Sequence, residues 1–232
     1  MLLPQRQVGS GNLSGVQLRP TNDFKDKFVA PEISSFTEAS ISDLSGLQER
    51  WLVSFILNSS LVVQLDDATR RTIYNFLRRA EAAFREYSSA RQMTLAHLAN
   101  PNPDAVSEYI IAIGHWEVFL SQAYQAWCLL ARGQRILFTP GDGSTMQRLN
   151  LLYNRTKHAE SAITAEQLPP DGTLPVWLKN DGLHSVESSL TFEEIEEMLE
   201  DLAVRADAAQ NPATMREKTA AKYRINLDDQ DS

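Results

Sequence analysis

Residues 104–132 read DAVSEYIIAIGHWEVFLSQAYQAWCLLAR, and this stretch decides the fold. At about 100° per residue, Tyr109, Ile113, Trp116, Leu120, Tyr124 and Trp127 share one stripe, the pattern of a helix that turns its bulky side chains inward. Ile111, Val118, Phe119 and Leu129 are apolar on the other side. Such a helix is either central or gives one side to an interface. Gly133 is its stop signal. Upstream, Asn100-Pro101-Asn102-Pro103 interrupts the chain, because proline cannot continue a helix and pushes the preceding residue out of helical angles. Before that break, Asp66 opens a long helix to about Ala99 that carries Ile73, Phe76, Leu77, Ala80, Phe84, Tyr87, Leu95 and Leu98 on one stripe. Helical spacing begins near Ser42, with Leu44, Leu47, Trp51, Phe55 and Ile56 at three- and four-residue steps.

Downstream, Pro140-Gly141-Asp142-Gly143 is a turn and Ser144 is an N-cap for a helix to about Ala162. The texture then changes. Pro175-Val176-Trp177-Leu178-Lys179, Asn180-Asp181-Gly182 and Leu183-His184-Ser185-Val186-Glu187 read as a β-hairpin at about 175–187 around an Asp-Gly turn. Thr191-Phe192-Glu193-Glu194 is a capping box that launches a helix to about Gln210. The predicted class is mainly α with one small β-hairpin before the last long helix. Residues 1–40, rich in Ser, Gly, Gln, Asn and Pro, read as a flexible N-terminal arm. Residues 41–210 form the helical domain, and residues 211–232 a charged, partly disordered tail.

The chain has 232 residues, 43% hydrophobic and 22% charged. That length suits one domain with extensions and buries a core large enough to need no disulfide or metal staple. Cys128 is the single cysteine, and no Cys/His cluster has zinc-ligand spacing, so neither a metal nor a cofactor is expected. Residues Met1 to Gly15 lack the apolar region of a signal peptide, and no stretch approaches the ~18–20 apolar residues of a membrane span. The expectation is a soluble, cytoplasmic protein without a membrane partner. Net charge is −8, which disfavours a general nucleic-acid-coating protein. The charge is uneven, however. Phe192 to Ser232 holds 11 acids against 5 bases, whereas Arg132 to Ala159 holds five bases against the single acid Asp142. A local basic patch is therefore compatible with the acidic whole.

Two charged residues sit among apolar neighbours: Glu117 inside the stripe of its helix, and Arg91 in the middle of the preceding one. A carboxylate there needs a partner, so Glu117 is expected within one hydrogen bond or one bridging water of Arg91, Lys157 or His158. The helix after Ser144 has a core side of Leu149, Leu152, Tyr153, Thr156 and Ile163. Asn150, Asn154, Lys157 and His158 cluster within roughly a 100° arc on another side. Asn154 and His158 are four apart and Arg155 and His158 three apart, so each pair can touch. Histidine titrates near neutrality. Beside Lys and Arg it has the parts to bind and cleave a phosphodiester. The competing reading is an ordinary solvated helix face. His115, outside the apolar stripe, reads as a surface or interface histidine that could approach a second site across a dimer, His184 and His97 have no recognisable partners in sequence, and the tryptophans read as core or interface.

The stretch Leu149-Asn150-Leu151-Leu152-Tyr153-Asn154-Arg155-Thr156-Lys157-His158 resembles the polar signature helix of HEPN-like helical-bundle proteins, in an Asn-x-x-Lys-His variant. The hairpin Pro175 to Gly182 and the helix start Leu190-Thr191-Phe192-Glu193-Glu194 are similar too, so the resemblance runs from about Asp66 to Gln210. It implies an antiparallel helical bundle, frequent homodimers and, in active members, metal-independent RNA cleavage in toxin–antitoxin or phage-defence settings. It also implies a partner or antidote protein in some cases. On this resemblance Asn154 positions substrate, Lys157 contacts phosphate, His158 transfers protons and Glu117 orients or neutralises one of them. Arg155, Arg148 and Asn150 would bind substrate. Active members place four to six residues between Arg and His. Here Arg155 and His158 have two between them, and Arg148 and His158 nine, so only Asn154, Lys157 and His158 carry over. The alternative is a non-catalytic interaction or scaffold protein in which the same polar residues are structural.

Overall fold

The computed structural model describes residues 21–48, 50–61, 65–100, 102, 106–131, 137–165, 168 and 172–211. In chain order these form α1 (Asn22–Phe28), α2 (Trp51–Leu61), α3 (Asp67–Ala99), α4 (Ser107–Ala131), α5 (Thr145–Lys157), α6 (Ala159–Thr164), β1 (Trp177–Lys179), β2 (Gly182–His184), β3 (Ser189–Thr191) and α7 (Phe192–Gln210). Two short 3-10 turns, Ile33–Ser35 and Ser45–Leu47, precede α2. The class is mainly α: an antiparallel helical bundle with a small sheet before the last long helix.

The bundle is organised on α3 and α4, which make the most extensive pairing in the fold. Asp66 caps α3 by accepting from the Thr69 amide at 2.9 Å, which satisfies one of the helix-start donors. The predicted stripes are buried: Ile73, Phe76, Leu77, Ala80, Phe84 and Tyr87 on α3, and Tyr109, Ile113, Trp116, Leu120 and Trp127 on α4. Leu95 and Leu98 are only half-buried, and Thr94 takes the core position there. Its hydroxyl donates to the Ala90 carbonyl and accepts from Trp116 Nε1 at 3.1 Å, so both buried polar groups are paired. Trp116 meets Tyr87 and Phe119 edge-on, and Trp51 of α2 meets Phe84 likewise. On the far side of α4, Phe119 is buried, whereas Ile111 and Val118 are exposed.

The sheet has three strands rather than two, in order β1-β2-β3 and antiparallel throughout. Glycine marks the hairpin for a different reason than the predicted turn. Among the described residues only Glu32, Gly141 and Gly143 have positive φ, so the Asn180-Asp181 turn uses ordinary angles. Gly182 instead lets β3 approach, since a Cβ there would sit 2.0 Å from the Leu190 carbonyl oxygen. The third strand escapes a sequence reading because it is three residues long and runs directly into the capping box of α7.

The expected flexible arm, 1–40, is docked over its described part. Ile33, Phe36 and Ile41 are buried. The Asn180 side-chain oxygen at the hairpin tip accepts from the amides of Thr37 and Glu38. Tyr87 Oη donates to the Ser42 carbonyl at 2.9 Å. Apolar residues one at a time, without a period, were enough to hold an irregular segment once backbone partners existed. Residues 1–20 and 212–232, where the rest of the arm and nearly all of the tail were placed, lie outside the described residues.

Candidate functional site

Ser144 starts α5 by accepting from the Gln147 amide, and Leu149 and Leu152 are fully buried. These anchors fix the rotation of the helix. Tyr153 stacks on Tyr124 of α4 with centroids 4.7 Å apart, and Asn154 Nδ2 donates to Asn150 Oδ1 at 3.1 Å. Lys157 is exposed, its Nζ 5.7 Å from the Tyr153 ring centroid in cation–π geometry. The expected helix to Ala162 breaks at His158, whose amide still donates to the Asn154 carbonyl while its backbone turns to φ −113°, ψ 32°. Past Thr156 no large apolar residue continues the core stripe. Ile163, expected on the core side, is 59% exposed. His158 is thus an exposed ring at a helix junction. Asn150 lies mid-helix and Asn154, Lys157 and His158 follow at the C-terminal end of α5, and among these four a side-chain hydrogen bond joins Asn154 to Asn150.

The two arginines expected to bind substrate do something else. Arg148 grips Glu194 with both terminal nitrogens, one at 2.9 Å, and also donates to the Ser189 and Gly143 carbonyls. Glu194 is the same residue whose carboxylate accepts from the Thr191 amide in the capping box at 3.0 Å. Hydrogen bonding from Arg148 holds the Glu194 carboxyl below its ordinary range, against the opposing effect of burial. Arg155 is buried and meets Glu187 at 2.5 Å. Both arginines rivet α5 to the sheet and to the start of α7.

Glu117 also departs from expectation. It has no hydrogen-bond or ion-pair partner among the described residues, and burial alone pushes its carboxyl upward. Arg91 donates instead to the Ile41 carbonyl at 2.9 Å and faces Asp43 at 4.0 Å, holding the N-terminal segment against α3. Glu117 stays partly buried among its apolar neighbours, and no cation from α3 or α5 reaches it among the described residues. His115 Nδ1 lies 2.9 Å from Glu86, bridging α4 and α3, and His184 Nε2 lies 2.8 Å from Asp181 within the hairpin. Among the described residues no group of three or more His, Cys, Asp or Glu is placed to hold a metal ion. Among the described residues no helix is long and apolar enough to cross a membrane.

A cationic groove of about 600 Å³ lies elsewhere, between α3 and α4. Arg71, Asn75, Arg78 and Arg79 line it from α3, and Gln125 and Cys128 from α4, with no carboxylate among the described lining residues. Positions 71, 75 and 78 are one turn apart, so their side chains stand in a row along the helix. Arg79 is anchored to Gln122 at 2.7 Å. Burial first, and the Arg78 charge second, depress its ionisation, so the two guanidiniums are close enough to repel. Arg78 has a single long contact, 3.5 Å, to Asn75. Arg71 reaches the exposed Asp67 at 3.8 Å. With five N–H donors per guanidinium, most remain for a ligand. The groove adjoins α5: Tyr124 hydrogen-bonds Cys128, its phenol pushed up to about 12 by burial and that contact, and it stacks on Tyr153. At the other end Arg71 and Asn75 also belong to an apolar shelf of about 370 Å³ formed by Phe55, Ile56 and Tyr74. In sequence this site is visible only as Arg71, Asn75 and Arg78 at three- and four-residue spacing on the polar face of a helix, a signal shared by many solvated faces.

No protein-family model, no curated protein and no solved structure matches the chain.

Proposed function

We propose that this chain is an HEPN-like helical bundle that binds single-stranded RNA, with phosphates in the α3/α4 groove and the α5 end as a flank, and that one copy alone does not cleave it. The observation that carries this reading is the row of arginines with unspent donors and no lining carboxylate. A phosphate backbone needs repeated cations along a track. From Arg71 through Arg78 and Arg79 to the Tyr124–Tyr153 stack and Lys157, the surface offers cations interleaved with aromatic faces. Cleavage is disfavoured because the two arginines that should surround His158 are engaged elsewhere, Arg148 with Glu194 and Arg155 with Glu187, and Glu117 meets no cation among the described residues. Among the described residues no second proton-transfer group is seen to contact the His158 side chain. In this reading Asn154 and Asn150 orient, Lys157 contacts phosphate, and His158 offers ring N–H donors beside it. The homodimer, the partner or antidote protein and the defence setting rest on the resemblance alone.

Fluorescence anisotropy with a labelled oligouridylate tests the reading. Three groove arginines predict a slope of log K against log salt of about −2 or steeper for a single strand. Arg71→Glu/Arg78→Glu is expected to weaken binding at least tenfold with folding intact. Total RNA incubated in EDTA should survive with wild type and with His158→Ala alike. Loss of RNA that depends on His158 would restore the ribonuclease reading. Absence of salt-sensitive binding would favour the scaffold reading.

A further inference from the structure

We propose that the arginine groove has an occupant within the same chain, the segment Ile225-Asn226-Leu227-Asp228-Asp229-Gln230-Asp231-Ser232. This segment lies outside the described residues, but its point of departure does not. Helix α7 ends with the Gln210 carbonyl accepting from Asn58 Nδ2 of α2 at 3.0 Å. The next residue, Ser59, lines the apolar shelf with Phe55, Ile56 and Tyr74. Helix α7 therefore ends against α2 at the residue next to one that lines the shelf, and the shelf runs into the groove through their shared residues Arg71 and Asn75.

The order of chemistry along the segment matches the order along the surface. Ile225 and Leu227 come first and suit the shelf, where Ile56 is 49% exposed and Tyr74 40%. Asp228, Asp229 and Asp231 follow and suit the guanidiniums of Arg71, Arg78 and Arg79. The basic residues of this region, Arg216, Lys218, Lys222 and Arg224, all precede Ile225, so the acid is concentrated at the end that would reach the groove. Reach is ample: residues 212–224 span up to ~40 Å at about 3.3 Å each, while Ala68 to Arg79 covers only ~17 Å of helix. Exposed carboxylate–guanidinium pairs are individually weak. A tethered segment, however, meets the groove at an effective concentration in the millimolar range, so even weak pairing fills it. The acidic end then competes with any polyanion for the same arginines. That regulatory consequence rests on the RNA reading above, whereas the docking itself does not.

The test uses the full chain. A nitroxide is placed on Ser232→Cys in a Cys128→Ala background, and amide signals are followed by NMR. Broadening is expected at Arg71, Asn75 and Arg78. It should vanish in Asp228→Asn/Asp229→Asn/Asp231→Asn, in Arg71→Glu/Arg78→Glu, and at 1 M salt, where the screening length falls to about 3 Å. Broadening confined to other surfaces, or unchanged by these charge variants, overturns the proposal. The triple Asn variant should also bind oligouridylate three- to tenfold more tightly than wild type. Groove broadening without RNA binding by any variant would keep the docking and sink the RNA reading. RNA binding without groove broadening would do the reverse.

Discussion

Arginine occurs in two settings in this molecule, and the contrast separates architecture from recognition. At the seam between α5, the sheet and α7, Arg148 spends its donors on one carboxylate and two carbonyls, and Arg155 is buried against Glu187. In the α3/α4 groove, Arg71, Arg78 and Arg79 make one contact each among the described residues, and two of those three are long. The seam lies next to the stretch that looks like a catalytic signature, yet its arginines have little left to offer a ligand. The groove has no motif and has donors to spare. Counting hydrogen bonds, rather than matching residue types, assigns the roles.

Substitutions should divide along the same line. The largest effect is expected from Gly182→Ala, which drives a methyl into the backbone of β3 and should cost about 3 kcal/mol or more, read as a fall in the urea midpoint. Arg148→Ala should cost about 2–3 kcal/mol, discounted for partial exposure, because it strips a charged partner from Glu194 and orphans two carbonyls. It should also change the acid limb. A carboxyl held below its ordinary value of 4.5 contributes stability that is present above that value and lost as pH falls through the depressed folded value. Without Arg148 that limb should flatten. Arg155→Leu should cost about 1–2 kcal/mol, less than a fully buried pair, since Glu187 is 56% exposed. By contrast, Arg78→Ala should leave the melting curve within about 0.5 kcal/mol of wild type while weakening oligouridylate. A seam-sized loss at Arg78 would erase the distinction between the two regions.

The smallest expected effect has the opposite sign. Glu117 is raised, so the folded state binds its proton more readily than the unfolded chain. The associated stability is complete below 4.5 and is lost as pH rises through the raised folded value. Glu117→Gln should therefore stabilise the protein by up to about 1 kcal/mol at pH 7, with the gain fading in acid. Thermal melts at pH 4 and pH 7 read both the sign and its pH dependence.

Much of the bundle was legible because its helices have one apolar stripe each and conspicuous ends. Asp66, Ser144 and Thr191 cap as their residue types suggest. The site was not legible in the same way. A helical wheel put Lys157 and His158 on a polar arc, and both are exposed, but it missed the break at His158 and could not say that Arg148 and Arg155 would find carboxylates from α7 and from the sheet side. Those partners are 46 and 32 residues away in sequence, and pairing at such separations leaves no periodic trace. Glu117 fails for a related reason: a wheel gives the angle of a residue, not the depth of its neighbours. The groove was hidden because its two walls come from different helices, and each wall alone is an ordinary polar face.

One contact described above bears on how the chain is made. The amide of Thr37 reaches its acceptor on Asn180, 143 residues later, and Trp51 Nε1 reaches Asp207, 156 residues later. At about 5–20 residues per second, a ribosome needs roughly 7–30 s to produce the hairpin tip after residue 37 has been polymerised. During that interval Ile33, Phe36 and Ile41 have neither β1 nor α7 to cover them. Slowing elongation between the end of α4 and the hairpin should lengthen the time for which a chaperone holds the nascent chain, because residues 33–41 wait on partners made more than a hundred residues later.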